Sequence, residues 1–244
     1  MEIEIDSAGS SVPAVLEVPV GGGPWPGIVI VHDLAGLTTD TRNIARRVAA
    51  NGFVTIAPDL YSRGRRVRCM LTAMRGMLAG TGDAVDDILA ARDYLRAQND
   101  CTGEIGVAGF CLGGGFALVV SSKGFSAAAP FYPSIPPRYD SLLEGACPIV
   151  ASYGRRDLLN VGNAEKLRAS ATRMGVAHDI KTYPEAGHSF ANDIPGQALA
   201  RIVGFGYDAE AADDAFERVY SFFRQHLTGE TPAAPEGSHD HRQS

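Results

Sequence analysis

The stretch IGVAGFCLGGGF, residues 105–116, sets small and branched apolar residues directly against a cysteine surrounded by glycines. Its first part, IGVAG (Ile105–Gly109), reads as a short strand buried on both faces, because it is apolar without alternation. From Leu112 to Ser122 the chain reads as a helix. A strand that turns at once into a helix strains the residue between them, and small neighbours at Gly109 and Gly113 leave room for that turn. In this GxCxG pattern the thiol of Cys111 stands at the C-terminal edge of the sheet and the N-terminus of the next helix, where free N–H groups and the helix dipole favour a thiolate. Taken alone, the motif also fits a glycine-rich turn with an inert cysteine, since single glycine motifs are weak evidence.

Working outward, apolar β-branched runs alternate with amphipathic ones from residue 27 onward, the pattern of βα units around a parallel sheet with helices on both faces. The expected strands are Gly27–His32, Phe53–Ala57, Ile105–Gly109, Ala127–Tyr132, Pro148–Tyr153 and Asp179–Tyr183. Between them the expected helices are Thr41–Asn51, Asp83–Gln98, Leu112–Ser122 and Ala164–Met174, with a last one over Glu210–His226 whose Phe216, Val219, Phe222 and Phe223 keep a helical spacing. Residues 1–20 read as an antiparallel pair closed by the breaker GGGPWP, in which Trp25 is a packing or turn residue. One domain over 1–227 is expected, followed by a tail at 228–244 that is short of large apolar residues and expected to be disordered. His239 and His241 in that tail are read as solvated rather than as metal ligands.

The chain has 244 residues, 45% of them hydrophobic, with 22 Lys and Arg against 28 Asp and Glu, a formal net charge of −6. That balance argues against nucleic acid, which demands concentrated positive charge. The dense basic run Arg63–Arg68, with four arginines, reads as a solvated loop or a local anion site. No segment approaches the roughly 20 apolar residues of a membrane span, and the N-terminus lacks a signal-peptide layout, so a cytoplasmic location without membrane association is expected. Cys69, Cys101, Cys111 and Cys147 show no metal-ligand spacing and are expected to be reduced. Cys69 is placed in the arginine-rich loop, Cys101 before a turn and Cys147 before a strand, all as bystanders. His32 is read as packing beside the loop after the first core strand, and His178 and His226 as surface residues.

A nucleophile requires a base, and the base an orienter. Asp157 ends the strand PIVASY in the turn YGRRD, and His188 follows the strand DIKTYP in the loop PEAGHSF. Both lie just past strand C-terminal ends, where an open α/β sheet gathers its site residues. The order Cys111, Asp157, His188, with gaps of 46 and 31 residues, is that of the α/β-hydrolase arrangement. Taken singly, Asp157 could be a turn aspartate or helix N-cap, and His188 a loop histidine near the surface. Oxyanion donors are expected at the backbone N–H of Leu112 and of Leu34, in the loop HDLAGL. Asp33 in that loop could point into the same cleft or cap the following helix.

The combination of GFCLGG, APDLY (Ala57–Tyr61), YGRRD and EAGHSF (Glu185–Phe190), in this order within 12–227, resembles the dienelactone hydrolase family. The resemblance implies a single-domain α/β-hydrolase fold with Cys111 as nucleophile, His188 as base and Asp157 as orienter, and hydrolysis of a carboxymethylenebutenolide-like lactone or another ester. It implies no metal and no cofactor, a small-molecule substrate, and a monomer or homodimer. Two departures bear on the substrate. Where well-studied members carry a thiol-tuning glutamate this chain has Asp33, one methylene shorter. Where they hold a substrate carboxylate with an arginine, four residues past the histidine, this chain has Asn192, which cannot form a bidentate clamp. An arginine from the run Arg63, Arg65, Arg66 and Arg68 could take its place, with Arg66 and Arg68 as the candidate substrate-binding residues. The other readings are a carboxylesterase or thioesterase acting on a non-carboxylated substrate, and a ligand-binding protein that keeps the fold without turnover. A thiol-redox role is weaker, because no second cysteine is placed to resolve a sulfenic acid.

Overall fold

Eight strands form one sheet in the order β1-β2-β4-β3-β5-β6-β7-β8 in a computed structural model that describes residues 1–134, 138–193 and 205–229. β1 (Glu2–Ser7) and β2 (Ser10–Glu17) make the expected antiparallel hairpin, turning through Ala8 and Gly9 at φ 52° and 78°. β2 pairs antiparallel with β4 (Val54–Pro58). From there the ladder is parallel, through β3 (Trp25–Val31), β5 (Cys101–Phe110), β6 (Ala127–Phe131), β7 (Ile149–Gly154) and β8 (His178–Tyr183). The unalternating apolar runs are explained by two cores. Val29 and Val31 of β3 point into one, Ile28 and Ile30 into the other, the period-two split of a sheet covered on both faces.

One face is covered by α1 (Thr39–Ala49) and α7 (Ala209–Thr228). On α7, Ala212, Phe216, Val219, Phe223 and Leu227 are all buried in that core, the apolar stripe of an amphipathic helix. A fully buried phenylalanine such as Phe223 contributes roughly 2 kcal/mol. The opposite face carries α2 (Arg66–Ala79), α3 (Asp83–Arg96), α4 (Leu112–Val120), the short α5 (Tyr139–Leu142) and α6 (Asn163–Met174). Among the described residues no helix is long and apolar enough to cross a membrane.

Several expectations are corrected. The arginine-rich segment is not a loop throughout: α2 begins at Arg66, and Cys69 lies on it. This helix buries only Ala73 and Met77 while exposing Val67, Leu71 and Leu78 among its arginines, so it lacks a clear amphipathic period. Trp25 opens β3 rather than sitting in a turn, and Cys101 opens β5, the two residues being partners in the ladder. Arg63 is half-buried rather than solvated; its guanidinium bonds Asp87 of α3 at 2.5 Å and the Ser7 hydroxyl at 3.0 Å, joining three elements behind the sheet edge. α7 extends to Thr228. The remainder of the expected tail, with His239 and His241, lies outside the described residues.

Candidate active site

Cys111 sits between β5 and α4 at φ 54° and ψ −112°, a backbone that non-glycine residues seldom adopt. The surroundings over-determine it. Its N–H donates to the Phe131 carbonyl at 3.1 Å, and its own carbonyl accepts from Gly115 N–H at 3.1 Å and Ser134 N–H at 3.0 Å. A Cβ on Gly109 would collide with the Gly113 carbonyl, and one on Gly113 with the carbonyls of Val31 and His32. The glycines therefore let the first turn of α4 lie directly on the ends of β5 and β3. The half-buried Cys111 Sγ is 3.3 Å from Ser134 Oγ. Neither Leu112 N–H, in the first turn of α4, nor Leu34 N–H has an acceptor among the described residues.

His188 and Asp157 meet as their positions past β8 and β7 suggest. His188 Nδ1 is 2.7 Å from Asp157 Oδ2, with both side chains buried. Asp157 also accepts from Asn160 Nδ2 at 2.7 Å and from Leu159 N–H at 2.9 Å, and Asn160 is held in turn by Asn163 at 3.1 Å. With Nδ1–H donating to the carboxylate, Nε2 is the free face of the ring; it is buried without a well-formed hydrogen bond among the described residues. Burial alone would lower the His188 pKa, but the hydrogen bond to Asp157 and the adjacent Cys111 side chain outweigh it and raise the pKa to about 9. A Cβ on Gly154 would strike the carbonyls of Ala186 and Gly187, so that glycine lets the histidine loop close onto the end of β7.

Asp33 is 9% exposed, and its Oδ1 accepts from Ala35 N–H at 2.7 Å. This closes its own loop instead of capping α1, whose cap is Thr38. Burial raises the Asp33 pKa, Asp40 adds to the rise, and the Ala35 N–H, His188 and Arg66 oppose it. No hydrogen bond joins Asp33 to Cys111 among the described residues. His32 is structural: Nε2 accepts from Leu60 N–H at 3.2 Å while Nδ1 lies 2.8 Å from the Asp33 carbonyl, and burial lowers its pKa.

Asn192 is held by internal partners. It is 2% exposed, donates to Asp40 Oδ2 at 2.6 Å and accepts from the Tyr132 hydroxyl, so both ends of its amide are engaged inside the protein. Arg66 is brought near the site, its charge acting on Asp33 and Tyr61. Arg68 instead lines a surface cleft with Arg63, Cys69, Thr72 and Asp83. Burial raises the thiol pKa of Cys101 and pushes that of Cys147 up to about 12, in keeping with inert cysteines. His178 and His226, expected at the surface, are half-buried, and His178 Nδ1 rests 2.8 Å from the Val176 carbonyl. Among the described residues no His, Cys, Asp and Glu cluster could hold a metal.

Three residues escaped sequence reasoning. Tyr132, at φ 34°, packs its ring 5.1 Å from that of His188; Ser134 contacts the thiol; Asn160 braces Asp157. Tyr132 and Ser134 lie just past the end of β6, so the strand-end criterion that selected Asp157 would have reached them.

A mostly parallel sheet with helices on both faces and a strained residue between β5 and α4 defines an α/β-hydrolase fold. Residues 12–227 match the model of the dienelactone hydrolase family, and the chain belongs to that family. It is accordingly a hydrolase acting on esters or lactones. A protein of Methylorubrum extorquens named "Putative carboxymethylenebutenolidase" is 26% identical over 243 residues, covering 92% of this chain and 80% of its own. An Escherichia coli K12 protein of the same name is 26% identical over 242 residues, covering 91% and 85%. Among solved structures, a dienelactone hydrolase-like promiscuous phosphotriesterase from metagenomic libraries shares the fold with a TM-score of 0.79 at 22% identity, over 93% of this chain and 98% of that one.

Proposed function

We propose that the chain hydrolyses a small ester or lactone through Cys111, His188 and Asp157, by way of an acyl-enzyme. The observation that carries this reading is the buried His188–Asp157 pair at 2.7 Å, with the free ring nitrogen left for the strained Cys111. The thiolate attacks the carbonyl carbon, and the carbonyl electron pair moves onto oxygen, where the N–H groups of Leu112 and Leu34 receive it. Collapse expels the alkoxide, which takes a proton from the His188 imidazolium. Water then gives a proton to the neutral imidazole and attacks the thioester carbonyl; the acid leaves and the thiolate returns. Asp157 holds the tautomer throughout.

The His188 pKa fits this division of labour. Two of the influences that raise it come from Cys111. Acylation removes them, so the ring becomes a better-populated neutral base when water must be activated. The resting pair favours an imidazolium ready to protonate the leaving group.

The names of the relatives favour a carboxylated dienelactone as substrate, with Arg66 as the cation at the site rim. A second reading, an esterase or thioesterase on a non-carboxylated substrate, is favoured by the internal engagement of Asn192. Cys111→Ala should abolish cleavage of activated aryl esters and of dienelactone. Retention of the parent rate would overturn the triad. Comparing esters with and without a carboxylate, in the parent and in Arg66→Ala, separates the two substrate readings.

A further inference from the structure

We propose that Ser134 is a positioning residue for the nucleophile, its hydroxyl donating a hydrogen bond to the Cys111 sulfur when the thiolate forms. This rests on the assignment of Cys111 as nucleophile. The thiol's hydrogen-bond partner among the described residues is Ser134 Oγ at 3.3 Å, while His188 Nε2 stays without a well-formed bond. The hydroxyl is placed by the backbone. Ser134 N–H donates to the Cys111 carbonyl at 3.0 Å, and Cys111 N–H donates to Phe131 at 3.1 Å, so the segment past β6 and the turn past β5 are tied in both directions.

Chemistry favours the hydroxyl as donor. A thiolate accepts hydrogen bonds and a neutral thiol is a poor donor, so a hydroxyl beside the sulfur gains most when the sulfur is ionised. The titratable groups around Cys111 include one other free donor, the Tyr61 hydroxyl, which is buried without a hydrogen-bond partner among the described residues. Tyr61, past β4, and Tyr132, past β6, both interact with the Cys111 charge, but the Tyr132 hydroxyl is committed to Asn192. Asp33, past β3, brings negative charge to both tyrosines, and Arg66 at the start of α2 acts on Tyr61. His188 supplies the remaining positive charge. Ser134 is thus a neutral donor that holds the sulfur whether or not the imidazole is protonated, and it receives the thiolate again when deacylation releases it.

The test is carboxamidomethylation of Cys111 by iodoacetamide, followed by peptide mass mapping against Cys69 in the same chain, at pH 7 and at pH 10.5. Ser134→Ala should slow Cys111 labelling about tenfold at pH 7, the effect expected for loss of one hydrogen bond to a charged group, and leave the rate at pH 10.5 within about twofold, a pH at which thiols in general are ionised. Ser134→Thr, which keeps the hydroxyl, should restore the pH 7 rate. Equal slowing at both pH values, faster labelling at pH 7, or profiles that superimpose would each overturn the Ser134 role. Parent Cys111 reacting no faster than Cys69 would overturn the nucleophile along with it; fast reaction with or without the hydroxyl would overturn Ser134 alone.

Discussion

The loops after β3 and after β7 each present a buried aspartate to the same histidine, yet they treat it differently. Asp157 accepts from His188, Asn160 and the Leu159 N–H, so nearly every lone pair of its carboxylate is used. Asp33 accepts from the Ala35 N–H and lies near Asp40, another carboxylate in a buried setting. A carboxylate wrapped in donors is a fixed part of the scaffold. One that is desolvated and under-compensated responds to whatever charge arrives beside it. The first arrangement suits an orienter, the second a group that tunes a neighbour.

The largest expected effect lies with the wrapped carboxylate. Asp157→Asn presents an amide whose single oxygen cannot serve both His188 and Asn160, which share Oδ2, and the Leu159 N–H, which uses Oδ1, and it permits the wrong imidazole tautomer. Ester hydrolysis, followed as kcat, should fall by about 10³–10⁴-fold. Asp33→Asn retains an oxygen for the Ala35 N–H, so the loop survives and kcat/KM should fall by about tenfold or less. Its stability should move the other way. Burial raises the Asp33 pKa, so the folded state binds its proton more tightly than the unfolded chain; that stability is complete below the unfolded pKa and lost as pH rises through the folded one. At pH 7 the loss is in force, and removing the carboxyl should raise Tm by about 2 °C, a gain that shrinks as the pH is lowered towards 4.5. Equal activity losses in the two variants would break the contrast between the loops.

What could be read in the sequence follows the same contrast. The Cys111 turn was legible because its backbone geometry requires glycines at Gly109 and Gly113, and residue type there reports geometry directly. Asp157 and His188 were legible because strand ends are legible, and the apolar runs of β7 and β8 mark them. The partners of Asn192 were not. Asp40 is 152 residues away and Tyr132 is 60, and no local pattern records that their side chains converge. α2 escaped because its charge and its exposed leucines mask the period that burial of Ala73 and Met77 would otherwise impose. Local backbone demands leave marks in residue type, whereas side-chain convergence across the sheet leaves none.

The smallest effect expected is a change in the ionisation of His188, and it separates the two aspartates without measuring turnover. The imidazole pKa of about 9 is the balance of burial, which lowers it, against the Asp157 hydrogen bond and Cys111, which raise it; Asp33 is not among its leading causes. NMR titration of the ring should therefore show the pKa falling in Asp157→Asn and, for the separate reason that the thiol is gone, in Cys111→Ala, while Asp33→Asn leaves it within about 0.3 units. The sign carries into stability. Because the folded pKa lies above the unfolded value of 6.5, the contribution of His188 is complete below pH 6.5 and is lost as pH rises through about 9. The parent should lose on the order of 1 kcal/mol across that window in urea unfolding, and the curve should be flatter in Asp157→Asn but not in Asp33→Asn. A flattened curve in Asp33→Asn would mean that the loop after β3 governs the histidine as well, and that the division of roles between the two aspartates is wrong.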